Sequence, residues 1–217
     1  MNECVSFQTS DGVRLAAHWY PVEQPRGWAL LLHMMPATKE SYATLANELQ
    51  EQDIACLAFD QRGHGESDGG PQGYESFSDE QQQEKWLDVC AALGWLAVQG
   101  MKEECLVVIG ASIGANLALR LLVEHQHLPA AVLLSPGRNY RGIETLPLAQ
   151  RVRSAQRVLL AAGGADDAHS TETVYALKTV LDGRADTRVF EHAGHGTAML
   201  ERVDGFIEEV VQWVLKQ

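Results

Sequence analysis

The 217 residues carry 17 basic and 29 acidic side chains, a net charge of −12, and are 46% hydrophobic. That length suits one domain over residues 1–217 with a sizeable core. So acidic a chain repels phosphate backbones and anionic lipid, which argues against nucleic acid or a membrane surface as a partner. No apolar stretch approaches the roughly 20 residues that span a bilayer.

The N-terminal stretch Met1–Leu15 contains Glu3, Asp11 and Arg14 and no apolar run, so it does not read as a signal peptide. After a first strand near Val5, Arg14–Tyr20 and Trp28–His33 read as strands, separated by a turn with two prolines and a glycine. Ser41–Glu51 has Tyr42, Leu45 and Leu49 at helical spacing, with Ser41 as the expected N-cap. Ile54–Phe59 follows as a strand, then a glycine-rich loop and one long helix over about Asp79–Val98. The second half alternates in the same way. Leu106–Ile109, Ala130–Leu134 and Val158–Ala162 are apolar runs, with helices predicted over Ile113–Glu124 and around Thr171–Leu181. Thr187–Phe190 is short and extended, and Gly205–Lys216 is a closing helix.

Short runs that are apolar on both faces, alternating with helices, require a mostly parallel α/β sheet covered on both sides. Ligands in such sheets bind at the carboxyl ends of the strands. The four cysteines, Cys4, Cys56, Cys90 and Cys105, lack CxxC or metal-type spacing. They read as small buried hydrophobes kept reduced in a cytoplasm, with a disulfide as the less favoured alternative.

Directly after Leu106–Ile109 comes Gly110-Ala111-Ser112-Ile113-Gly114, which is G-x-S-x-G between a strand and a helix. A side chain two residues either side of the serine would collide with the helix or the strand, and glycine removes both clashes. Ser112 would then stand at a strained turn and at a helix N-terminus, as a nucleophile needs. The plainer alternative is a glycine-rich turn that only caps a helix.

A serine hydroxyl needs a base, and the base needs a third group to orient it. The strand Val158–Ala162 is followed by Gly163-Gly164-Ala165-Asp166-Asp167. Counting from the first glycine selects Asp166 as the acid, which is favoured; counting from the second selects Asp167. After Ala130–Leu134, Ser135-Pro136-Gly137 offers no carboxylate. Of eight histidines, His195 lies between Gly194 and Gly196 after the last strand and is the expected base, with His192 its nearest rival. The expected oxyanion donors are the backbone N–H groups of Ile113 and Met35, because Pro36 has none to give. His33 reads as a brace for that loop.

On these residues, and on LLLHMMPATKESYATLANEL and Asp60-Gln61-Arg62-Gly63-His64-Gly65-Glu66-Ser67, the chain resembles the α/β-hydrolase superfamily, in particular its small lidless esterases. The resemblance covers nearly the whole chain. It implies an α/β-hydrolase fold of about eight strands with helices on both faces and minimal or no lid. It also implies an acyl-serine intermediate with no metal or cofactor, and a structural rather than catalytic loop over Asp60–Ser67. Two departures stand out: Met34 where relatives have glycine, and only a short span, Pro136–Gln156, where many relatives carry a helical lid. The expected activity is hydrolysis of small carboxylic esters with short acyl groups. A thioesterase, a small peptidase or amidase and an acyltransferase are the alternatives on the same triad. Nothing in the sequence sets the oligomeric state.

Overall fold

The computed structural model describes residues 2–217. The strands are β1 (Glu3–Gln8), β2 (Arg14–Tyr20), β3 (Gly27–Leu32), β4 (Ile54–Phe59), β5 (Leu106–Ala111), β6 (Ala130–Leu134), β7 (Asn139–Tyr140), β8 (Ile143–Glu144), β9 (Arg157–Ala162) and β10 (Ala185–Val189). The helices are α1 (Ala43–Glu51), α2 (Asp79–Gln83), α3 (Lys85–Val98), α4 (Ile113–Glu124), α5 (Thr145–Ala149), α6 (Ala168–Leu181), α7 (Ala198–Arg202) and α8 (Phe206–Val214). Among the described residues no helix is long and apolar enough to cross a membrane.

Eight strands form one sheet in the order β1-β2-β4-β3-β5-β6-β9-β10, while β7 and β8 make a separate small hairpin. β2 runs antiparallel to both β1 and β4, and the remaining pairs are parallel. Every residue of β3, β4, β5 and β6 is buried, which is why these segments read as unbroken apolar runs. Alternate side chains supply two cores. Leu30 and Leu32 join α3, α4 and α6 on one face, whereas Ala29 and Leu31 join α1, α7 and α8 on the other. A fully buried leucine of this kind contributes roughly 1.5–3 kcal/mol.

The register brings the carboxyl ends of the strands level. Leu32 lies opposite Gly110, Ala111 opposite Leu134, Leu134 opposite Ala161, and Ala162 opposite Val189. His33, Ser112, Ser135 and Gly163 therefore emerge along one edge. The chain leaves β3 toward β4 on one side and leaves β5 toward β6 on the other, so a crevice opens above their ends.

Three sequence expectations need correction. Ser41 does not cap α1: its hydroxyl and N–H both go to the Thr38 carbonyl, closing a 3-10 turn ahead of the helix. The helix expected over Asp79–Val98 breaks at Glu84. Ser78 starts the first piece with a capping box, and Gln82 then turns inward to the Tyr74 carbonyl at 2.8 Å. Finally, all four cysteines are free but only Cys56 is buried. Cys4, Cys90 and Cys105 lie on an edge strand, a helix flank and a surface turn, positions whose exposure the sequence pattern does not reveal.

The loop Asp60–Ser67 spends its charges on structure. Asp60 accepts from the Lys39 N–H and ammonium, each at 2.8 Å, and from the Glu66 N–H at 2.9 Å. Arg62 holds Asp88 through Nε at 2.7 Å and its own N–H at 2.8 Å. Behind it Lys85 is fully buried with no hydrogen-bond partner. Burial pushes its pKa down to about 7, with Asp88 opposing and Arg141 and Arg62 reinforcing.

Lys85→Met should therefore raise thermal stability, by about 1–3 kcal/mol at pH 7. Asp88 keeps both bonds to Arg62 in that variant. The lysine pKa is lower in the folded chain than its ordinary value of about 10.4, so between those values the unfolded chain holds more proton. Wild-type stability therefore climbs across that window, and the variant's advantage shrinks toward pH 10. Thermal unfolding at pH 7, 8.5 and 10 checks this, and an advantage independent of pH would contradict it.

Candidate active site

Ser112 sits between β5 and α4 with φ 53° and ψ −119°, a left-handed conformation that costs a non-glycine residue about 1–3 kcal/mol. Packing enforces it. A Cβ on Gly110 would fall 2.1 Å from the Gly114 carbonyl oxygen, and one on Gly114 would fall 2.2 Å from that of Leu32. Ile113 opens α4, so its N–H is among the helix's first four, which have no intrahelical acceptor. Ser112 itself is half-buried.

The other expected donor, the Met35 N–H, belongs to the loop after β3. That loop is braced by His33, whose Nδ1–H donates to the Met34 carbonyl at 2.8 Å while its Nε2 accepts the Gln61 N–H at 2.9 Å. Burial pushes both His33 and its neighbour His64 down to about pKa 3, so each stays neutral. Met34 is not among the residues with positive φ, which explains why methionine is tolerated where relatives place glycine. Its sulfur packs where a Cβ on Gly196 would stand, 2.4 Å away.

The carboxylate that pairs with His195 differs from the sequence expectation. Asp167, not Asp166, faces His195, with 2.9 Å between Oδ1 and Nδ1. Asp166 instead pairs with His192 at 3.0 Å. Burial separates the two pairs: side-chain exposure is 6% for Asp167 and 37% for His195, against 38% and 73% for Asp166 and His192. The reason lies in Gly164, whose φ of 62° starts a 3-10 turn over Gly164–Asp167. A Cβ there would stand 2.4 Å from the Phe190 carbonyl oxygen, so the turn pivots on the second glycine and the residue count starts there. In a 3-10 turn consecutive side chains diverge by about 120°. One aspartate thus points inward and its neighbour outward.

Burial alone would raise the Asp167 pKa, but the hydrogen bond with His195 and the nearby Ser135 hydroxyl outweigh it, so the net shift is downward. The Ser135 hydroxyl also accepts the Gly196 N–H at 2.7 Å, which holds the histidine loop against the end of β6. Gly163 and Gly194 meet directly, since a Cβ on Gly163 would lie 1.8 Å from the Gly194 carbonyl oxygen. Gly196 in turn lies against Ala111, the residue before Ser112. These contacts bring His195 over the serine edge with Nδ1 engaged and Nε2 free.

Sequence reasoning missed three side chains here. Ser135 occupies the position after β6 where the sequence offers no carboxylate. Ser170, on α6, has a hydroxyl 3.3 Å from that of Tyr140. Tyr140 comes from the Pro136–Gln156 span, which forms the β7–β8 hairpin and the five-residue α5 rather than a helical lid. Among the described residues no three His, Cys, Asp or Glu side chains gather as a metal site.

This strand order, with a strained serine at the central strand's end and an Asp–His pair beside it, defines an α/β hydrolase. Residues 23–172 match the model of the hydrolase family described as serine aminopeptidase, S33. The chain belongs to that family. A polyketide transferase from Penicillium sp is 31% identical over 137 residues, 61% of this chain and 44% of that protein, so the match spans less than half of that relative's length. The esterase Pf2001 of Pyrococcus furiosus superposes with a TM-score of 0.78 at 20% identity, over 100% of this chain and 92% of that one. The α/β hydrolase GrgF from Penicillium sp. sh18 superposes at 0.81 and 16% identity, covering 100% and 98%. At such identities the two structures speak for the fold alone.

Proposed function

We propose that the protein is a serine hydrolase acting on small carboxylic esters through an acyl-Ser112 intermediate. The observation that carries this reading is the part-buried Asp167–His195 pair at the same sheet edge as the strained Ser112. Ser112 Oγ attacks the ester carbonyl while His195 Nε2 takes its proton, and Asp167 accepts the Nδ1–H and stabilises the imidazolium. The N–H groups of Ile113 and Met35 receive the negative charge on the carbonyl oxygen, each such donor contributing about 3 kcal/mol to the barrier. His195 then protonates the departing alkoxide, and a water activated by the same base releases the acid. The steps draw on this chain's groups and water.

Acyl transfer, with an alcohol in place of that water, is a second reading that the Penicillium transferase favours. The family's description keeps a peptidase in view. Three exposed free thiols suit a reducing, cytoplasmic setting.

Labelling by a fluorophosphonate probe tests the nucleophile, and p-nitrophenyl esters from acetate to palmitate test the acyl pocket. With only a two-strand hairpin and a five-residue helix in the lid position, long chains extend into water. kcat/KM should be flat or falling beyond about six carbons. A rise of about fourfold per methylene out to palmitate would mean a buried tunnel and would overturn the short-acyl preference.

A further inference from the structure

We propose that Tyr140 is a further catalytic residue, whose phenol hydrogen-bonds the oxygen that leaves or attacks the acyl carbon. The inference rests on the ester-hydrolase reading of Ser112.

The position of Tyr140 is fixed by the nucleophile's own helix. Asn116, one turn after Ser112 on α4 and fully buried, donates through Nδ2 to the carbonyls of Gly137 at 3.0 Å and Ile143 at 2.8 Å. Its Oδ1 accepts the Gly137 N–H at 3.1 Å, so all three bonds go to the hairpin segment. Thr145 adds a bond from its hydroxyl to the same Gly137 carbonyl at 2.8 Å. The Tyr140 ring lies flush on Gly137, where a Cβ would fall 2.5 Å from the ring carbons. An aromatic side chain on a surface hairpin does not need that much fixing for packing alone.

The hydroxyl is held among the site's oxygens. It lies 3.3 Å from the Ser170 hydroxyl, and the Ser112 hydroxyl is near enough to oppose the upward shift that burial gives its pKa. The ring stands perpendicular to the His195 imidazole, with 6.5 Å between centroids. That places the phenol beside the proposed base. The leaving oxygen must lie on this side too, because His195 gives it a proton. Burial holds the phenol protonated at neutral pH, so it arrives as a donor.

In acylation the bond from the carbonyl carbon to the leaving oxygen breaks, and the proton that completes the alcohol comes from His195 Nε2. Tyr140 donates a hydrogen bond to that oxygen and keeps its own proton. In deacylation Tyr140 orients the water, whose proton goes to His195 while its oxygen bonds to the acyl carbon; the bond from that carbon to Ser112 Oγ then breaks and His195 returns the proton to Oγ.

The test compares Tyr140→Phe with wild type on ethyl butyrate and p-nitrophenyl butyrate, which share an acyl group. Ethoxide leaves poorly and depends on a donor, whereas p-nitrophenolate is a stable anion. kcat/KM for the ethyl ester should fall about 10- to 100-fold more than for the aryl ester. Equal losses on both esters would mean a structural or acyl-side role and overturn the inference, as would no loss on either. A wild-type enzyme that takes up no fluorophosphonate and turns over neither ester would overturn the ester-hydrolase reading, and this inference with it. Active, labelled wild type with equal losses overturns the inference alone.

Discussion

Ser112→Ala should lower kcat by about 10⁶-fold and abolish fluorophosphonate labelling, while thermal unfolding stays within a few degrees of wild type. In the proposed mechanism the hydroxyl bonds to the acyl group, and without it only the proposed oxyanion donors and binding remain, a residue of catalysis of roughly 10³–10⁴ over water. The fold should survive because Gly110 and Gly114 create the turn, and alanine fits wherever serine does. The removal even of a polar group is mild, since Ser112 is half-buried. Rapid labelling of the alanine variant would move the nucleophile elsewhere.

Asp167→Asn should lower kcat by about 10⁴-fold with little change in KM, because an amide presents the imidazole with the wrong tautomer. Asp166→Asn should be mild, within a few-fold. Its partner His192 is exposed, and their contact bears on that histidine's proton rather than on His195. The pH profile sharpens the comparison. The shift of the Asp167 carboxyl below its ordinary value keeps it ionised across the whole range in which a histidine gains and loses its proton. The acid limb of kcat/KM should therefore report a single ionisation in wild type. Titration of kcat/KM from pH 4 to 9 for all three proteins decides it: if Asp166→Asn proves the damaging change, the acid is Asp166 after all.

That one-residue distinction shows what the sequence could and could not convey. β2, β4, β6 and α4 fall where the residue pattern put them, because strands buried on both faces and a helix after a glycine-flanked serine leave strong local signatures. Whether the acid loop pivots on Gly163 or Gly164 is settled by the Phe190 carbonyl, which arrives from β10 more than 20 residues later. No local count contains that contact. Tyr140 was hidden for a similar reason: two-residue strands have no periodicity to read, and the hairpin takes its place from an asparagine on α4. Ser135 stands at the right strand end in the sequence, but a serine there gives no local sign that its hydroxyl accepts from Gly196, 61 residues later.

The meeting of Gly163 and Gly194 has a consequence for how such a molecule can change. Main chain touches main chain there, so no rotamer adjustment can absorb an added atom or an inserted residue in either loop. Acid and base are inherited as a single piece. The β7–β8 hairpin is different: it holds neither member of the pair and is anchored at its base by one buried amide. Its tip at Arg141–Gly142 can be lengthened, and a larger roof built over the serine, without turning the imidazole. New substrate ranges would arise on this scaffold by growth at that tip, above an Asp167–His195 pair that stays in place.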